Sequence, residues 1–329
     1  MIKNMELPIC MPMYTTYNYQ GMAGIVAEQN KSLKNWFYNN SIVLNCNKVF
    51  LKGYTTPELG ILYTDVMHID EIEKIMYDVR FIREEIHTII KNMLNKGYYV
   101  CFNYFDDYYI EGKSLYNQRH LAHDGLIYGY DDNEGTYSVV AYNNEWIYTT
   151  FTTSQRGIEK AMNSIIELDN IYGYLLALKA TEDEVKLDIE YIKKQIKEYL
   201  KSDLENCSPH IDGEAIGIVV HEYINMYLDK LINKSIPYDK TDKRIFRLLW
   251  EHKKCMLERI QIIERTLNKD NKLSKEYELI LNESNKIRNI YIRYNVRKDE
   301  NLLIKIQRKV KFIMEKEREV LKNFINMEE

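Results

Sequence analysis

Apolar residues recur at steps of three and four over long stretches of this chain and cluster or alternate over shorter ones, which separates candidate helices from candidate strands. Ile69 to Asn95 shows helical spacing through Ile72, Ile75, Met76, Val79, Ile82, Ile86, Ile89, Ile90 and Met93, with Gly97 placed as a carboxy-terminal cap. Tyr98 to Phe105 is aromatic and β-branched without Pro or Gly and predicts a strand. Gly125 to Tyr130 and Thr136 to Tyr142 predict two more, joined by the turn-forming Asp131-Asp132-Asn133-Glu134-Gly135, and Trp146 to Phe151 predicts another. Thr153 or Ser154 then caps a helix to about Leu168.

Near the start, Asn18 is placed to cap a helix from Tyr19 to about Gln29. Its Met22, Ile25 and Val26 form an apolar stripe, and Gly21, Ala23, Gly24 and Ala27 allow close packing, so this helix should be buried. Between Ser32 and Tyr54 the pattern fits a short helix followed either by two small strands or by more helix. The later part of the chain reads as helical. Thr181 and Glu184 have capping-box spacing ahead of a helix from Glu182 to Leu200, carrying Val185, Ile189, Ile192 and Ile196 on one face. Pro209 and Gly213 break the pattern, and Gly217 to Ile232 resumes it.

A helix from about Lys240 to Leu267 places Ile245, Leu248, Leu249, Met256 and Ile260 in the core, leaving Glu251, Lys253, Glu258 and Arg259 to pair along or across helices. Last comes a helical hairpin. Tyr277, Ile280, Ser284, Ile287, Tyr291 and Tyr294 answer Leu303, Ile306, Val310, Ile313, Val320 and Phe324 across a turn at Val296-Arg297-Lys298-Asp299. Such stripes bind each other or a second subunit, which leaves a homodimer through these helices open. The resulting expectation is an α+β fold, with residues 1–153 forming a mixed domain and residues 154–329 a helical one.

Composition narrows the function. Over 329 residues the net charge is −4 with both signs interspersed, so nucleic acid is not an expected partner. No apolar run approaches a membrane span, and the first residues lack the layout of a signal peptide, which predicts a cytoplasmic protein without membrane attachment. The five cysteines, Cys10, Cys46, Cys101, Cys207 and Cys255, are odd in number and contain no C-x-x-C pair; reduced thiols are expected, and no metal site. No phosphate-binding glycine loop or dinucleotide fingerprint is present, so no cofactor is expected.

The chemistry-bearing stretch is the strand hairpin. His123 enters one strand and Asn143 ends its partner, an arrangement in which an amide can fix the tautomer and orientation of an imidazole. His120 is three residues away as a second candidate base or substrate contact, and Asp106 and Asp107 open the loop where substrate groups would be met. His252, flanked by Glu251 and Lys253, reads as a structural hydrogen-bonding residue.

A strand, an Asp loop, Tyr116, His120-x-x-His123, Leu126-Ile127-x-Gly129-Tyr130-Asp131 and a strand ending in Asn together resemble the papain-like domain of the butirosin-biosynthesis-protein-H family. Gly217-Ile218, Asp242-Lys243-Arg244 and Glu251-His252-Lys253 with Arg259 extend the resemblance, which covers roughly residues 5 to 265. It implies a cysteine-protease fold, with a central buried helix and an antiparallel sheet, that forms amide bonds. The implied enzyme is an acyltransferase of bacterial antibiotic biosynthesis, moving an acyl chain from an acyl or peptidyl carrier protein to a small amine.

In that fold the nucleophilic Cys stands at the amino end of the central helix, where N–H groups and the helix dipole lower its pKa. Here that end carries Tyr17, Asn18 and Tyr19, with Gln20 a candidate oxyanion donor and Tyr17 and Asn18 candidate substrate contacts. Cys10 is the nearest thiol, in the loop about two turns short of that place. Either the loop folds Cys10 back toward His123, or the nucleophile is lost, or the correspondence is displaced here. The implied catalytic set is His123, Asn143 and Cys10, with a catalytically inactive papain-like binding or scaffold protein as the alternative and a peptidase as a weaker one. All of these place His123 in a cleft against the front of the first helix.

Overall fold

A computed structural model describes residues 3–53, 56–169, 173–202, 214–237 and 241–327. Cys207 and the break expected at Pro209 and Gly213 lie outside them. The chain is α+β and divides into two compact units, each made of two segments: Met1–Lys34 with Asp65–Glu184, and Asn35–Thr64 with Val185–Glu329. Residues 154–184, which the pattern assigned to the helical half, belong to the first unit.

The first unit holds β1 (Asn4–Glu6), α1 (Asn18–Ala27), β2 (Ile72–Asp78), α2 (Ile86–Asn95), β3 (Tyr99–Asp106), β4 (Ala122–Asp131), β5 (Thr136–Tyr142), β6 (Tyr148–Ser154), α3 (Gln155–Asp169) and β7 (Tyr174–Ala180). Its seven strands form one antiparallel sheet in the order β2-β7-β3-β4-β5-β6, with β1 paired to the far end of β4. One face is covered by α2 and α3 through a core that includes Ile90, Phe102, Phe105, Val139, Ile158 and Met162. Alternate strand residues such as Tyr99 and Cys101 are buried outside that core, on the face where α1 packs against β4 and β7.

Two assignments change. Ile69 to Asn95 is not one helix. Ile72–Asp78 is a strand paired along its length with β7; the Asp78 carboxylate then accepts from Arg80 N and opens a helical turn at Val79–Ile82 before α2. Ile72, Ile75 and Met76 satisfy helical spacing as well as strand burial, and only the distant partner strand decides between them. That partner, β7, is the second change. Leu175-Leu176-Ala177-Leu178 is buried throughout, an apolar run that has lost the period-two signal because both faces are covered.

The second unit is helical around a small sheet in which Leu44–Asn47 pairs with both Leu59–Ile61 and Glu214–Ile216. Its later helices are α4 (Ile189–Lys201), α5 (Val220–Ile232), α6 (Arg244–Thr266), α7 (Lys272–Arg297) and α8 (Glu300–Ile325). Helix α4 starts later than the Thr181/Glu184 spacing predicts: Thr181 makes a local turn with Asp183, and Asp188 caps the helix through Tyr191 N. The α7/α8 hairpin follows the pattern. All twelve predicted facing positions are buried, Lys298 turns the chain in the left-handed region (φ 59°) and Asp299 caps α8 through Asn301 N.

Helix α6 departs from the amphipathic expectation, because Glu251, Lys253 and Arg259 are buried. Arg259 donates to the carbonyls of Tyr38 (2.5 Å), Phe37 (3.1 Å) and Ser41 (2.8 Å), and His252 Nε2 donates to the carbonyl of Ile42 (2.8 Å), the structural role read from its sequence. Lys253 Nζ meets the Glu317 carboxylate at 2.6 Å with both side chains fully buried, while Tyr199 (2.9 Å) and Tyr277 donate hydroxyls to the same carboxylate. Among the described residues no helix is long and apolar enough to cross a membrane.

Candidate functional site

The site is built where β3 and β4 end. Their register slips between Phe102/Gly125 and Phe105/His123, so Asn103 and Tyr104 together oppose Asp124, and Tyr104 adopts φ 58°. This bulge re-aims the end of β3 and delivers Asp106 and Asp107 to the loop that returns to His120. Gly125 permits the crossing, since a Cβ there would collide with the Phe102 ring.

Two imidazoles are each held by a buried carboxylate. His123 Nδ1 lies 2.5 Å from Asp107 Oδ2, and His120 Nδ1 lies 2.6 Å from Asp106 Oδ2. With Nδ1–H directed at a carboxylate, the neutral ring presents Nε2 as an acceptor, the form a general base requires. Both rings stay accessible, the His123 side chain 38% exposed and that of His120 45%, whereas the two carboxylates are at most 2% exposed. His120 also stacks on Tyr108 at 4.3 Å between ring centres.

Asp106 is shared among several donors: Ser164 Oγ at 2.7 Å, Tyr108 N at 3.0 Å and Leu121 N at 3.2 Å join the His120 ring. Burial alone pushes its pKa up, but the hydrogen bonds, led by His120 and Ser164, outweigh burial and hold it below the ordinary carboxylate value. Asp107 instead faces a buried ammonium. Lys113 Nζ is 3.2 Å from its Oδ1 and donates to the Asp124 carbonyl at 2.8 Å. Asn18 reaches the same residue from the front of α1, donating to Asp124 Oδ1 at 2.7 Å and to its carbonyl at 3.3 Å. A continuous polar path therefore runs from α1 through Asp124, Lys113 and Asp107 to His123.

Asn143 does not orient His123. Its Oδ1 accepts from Glu145 N and Ile147 N, both at 2.9 Å, closing the tight turn between β5 and β6, so Asp107 fills the orienting role instead. Replacing Asn143 by Ala should therefore cost about 1 kcal/mol of stability, read by urea denaturation, and leave His123 unaffected.

Cys10 is not drawn toward His123 either. It is exposed, and Pro8, two residues earlier, accepts at its carbonyl from the Tyr99 hydroxyl at 2.5 Å. That phenol is pushed up to about 12 by burial and, second, by neighbouring Cys10. Tyr99 opens β3 while His123 pairs with Phe105 six residues along, a separation on the order of 15–20 Å at about 3.3 Å per residue. The other described thiol of this unit, Cys101, is fully buried, and burial first, then Asp124 and Asp65, pushes its pKa well above the thiol value. It remains protonated and is a poor nucleophile.

At the front of α1 the cap residue is Tyr17 rather than Asn18, whose amide is committed to Asp124 instead of capping the helix. Tyr17 stacks on Tyr19 at 5.6 Å, and Gln20 is buried within the first turn. The structure thus brings His123, Asp107, Asp124 and Asn18 into one connected group and leaves out Cys10 and Asn143. Lys113, Ser164 and Asp124 were missed by the sequence reading. Lys113 lies in a loop of mixed composition, where nothing local marks a buried lysine. No protein-family model matches the chain, and no curated protein matches it.

Proposed function

We propose that the chain is a papain-like acyl-transfer protein that works by proton transfer and not through a covalent acyl-thiol. His123, held by Asp107, takes a proton from an amine as the amine nitrogen attacks the carbonyl carbon of a carrier-bound thioester. The C–N bond forms, the C–S bond breaks, and the imidazolium returns the proton to the departing thiolate. The observation that carries this reading is the 2.5 Å contact of His123 Nδ1 with a buried Asp107 beneath an accessible ring. The thioester, the carrier protein and the biosynthetic setting rest on the resemblance of the His120 to Asp131 stretch to the butirosin-type family.

The test is amide formation by the full chain from acyl-pantetheine thioesters and n-butylamine, followed by mass spectrometry. Cys10→Ser should keep the wild-type rate, and the intact protein should carry no acyl adduct. Loss of turnover in Cys10→Ser, or an acyl group on Cys10, would favour the covalent route. A second reading, binding without turnover, is favoured by Asn18, which occupies the place where the resemblance expects a thiol and is committed to Asp124. On that reading a carrier protein is retained in a pull-down while no amide forms.

A further inference from the structure

At the amino end of α1 two buried side-chain oxygens stand without a hydrogen-bond partner. Asn18 directs its amide nitrogen at Asp124, which assigns the other end of the amide as oxygen, and that Oδ1 is buried without a donor. Tyr148 is 5% exposed, and its hydroxyl lies so close to Gly21 in the first turn of α1 that an added Cβ there would strike it. This hydroxyl has no hydrogen-bond partner either. Burial first, then Cys101, Asp124 and Tyr142, raises the phenol well above its ordinary pKa, so it stays neutral and lies within electrostatic reach of Asp124. Each buried acceptor left without a donor costs about 1–3 kcal/mol. The fold keeps two of them within electrostatic reach of a carboxylate.

We propose that the amino end of α1 binds the ammonium group of a small amine, with the Asp124 carboxylate as counter-ion and Asn18 Oδ1 and Tyr148 Oη as acceptors of its N–H groups. An alkylammonium carries three donors in tetrahedral array, one for each of these partners. The local charges agree in sign. Lys113 is matched by Asp107 at 3.2 Å, and the front of α1 contributes about half a positive charge, while Asp124 and Asp65 both act on the adjoining Cys101. A cation is therefore favoured, an anion would face Asp124, and an alcohol has one donor for three acceptors. The inference deepens the acyl-transfer reading and rests on it for the role of the amine as acceptor, while binding itself requires no chemistry at His123.

The experiment is calorimetric titration of the full chain at pH 7 with n-butylamine and 1,4-diaminobutane, with 1-butanol as the uncharged control. Both amines should bind and butanol should not. Asp124→Asn should weaken amine binding at least tenfold. Tyr148→Phe removes only the unpartnered hydroxyl, so it should keep or raise the melting temperature while weakening binding about threefold or more, and it decides the matter if Asp124→Asn does not fold. Absence of amine binding, or wild-type affinity in the folded variants, overturns the proposal. The thioester assay reads independently: Asp124-dependent binding without amide formation keeps this site and removes the acyl-transfer reading, and the reverse result does the opposite.

Discussion

Replacing Lys253 by Met should destabilise the protein by about 3–5 kcal/mol, because it leaves Glu317 charged and uncompensated in a fully buried position. Burial opposes the charge on both partners. For Lys253 it prevails over Glu317 and lowers the pKa, yet for Glu317 burial is outweighed by Lys253, then His221 and His252, and the carboxyl is held at about 2. The 2.6 Å ion pair and the two phenol donors hold an ionised pair near neutral pH. A double change, Lys253→Met with Glu317→Gln, should recover much of the loss, since removing both charges also removes their desolvation. Urea denaturation of the three proteins checks this, and a single-variant loss below about 1 kcal/mol contradicts it.

The same cluster sets the acid limit. His221 is held at about 4, by burial first and then by Lys253, below an unfolded value of about 6.5. The unfolded chain takes up that proton first, so the contribution of His221 is complete above about pH 6.5 and is lost as pH falls through about 4. Glu317 adds a second loss between an unfolded value of about 4.3 and its folded value of about 2. In Lys253→Met the carboxyl is no longer held down, so the second phase should shrink or reverse. Denaturant midpoints at half-unit pH steps resolve the two phases.

On the proposed reading, Asp107→Asn should lower amide formation by about 10³–10⁴, because an amide at this position no longer secures the tautomer and cannot offset the imidazolium that forms. Its charge is also what Lys113 faces at 3.2 Å, so part of the effect passes through displacement of that ammonium. His123→Gln should remove about 10²–10⁴ of the rate, and the double variant should fall little further, since the two residues act as one unit. Melting temperatures measured beside the rates separate chemistry from structure: turnover lost in a variant that melts like the wild type is lost chemistry. If Asp107→Asn retains full turnover, proton transfer by His123 is not the working step.

How far the sequence reaches depends on whether a signal is local. The helical hairpin was legible because each facing stripe is long and its turn carries Lys298 and Asp299 as stop and start signals. The strands around His123 were legible through their aromatic and β-branched runs and the acidic turn between β4 and β5. Ile72–Asp78 was not, since its strand identity depends on β7 about a hundred residues later. Asn143 was assigned to His123 from strand adjacency, whereas its turn, with Trp146 at φ 59°, engages the amide locally. Asp106 and Asp107 were named in their loop, but their roles as supports of His120 and His123 depend on the bulge at Asn103 and Tyr104, which sequence does not announce.

The interleaving of the two units bears on how the chain is made. Residues 35–64 are synthesised before most of the sheet, yet their unit closes only when residues beyond Val185 arrive, and the first unit meanwhile needs its opening segment to wait for β7. During translation at about 5–20 residues per second, the early apolar stretch Ile42-Val43-Leu44, fully covered in the finished protein, stays without its partners for many seconds. Expression should therefore depend on holdase chaperones more than the length of the chain implies, and no single cut can yield either unit whole.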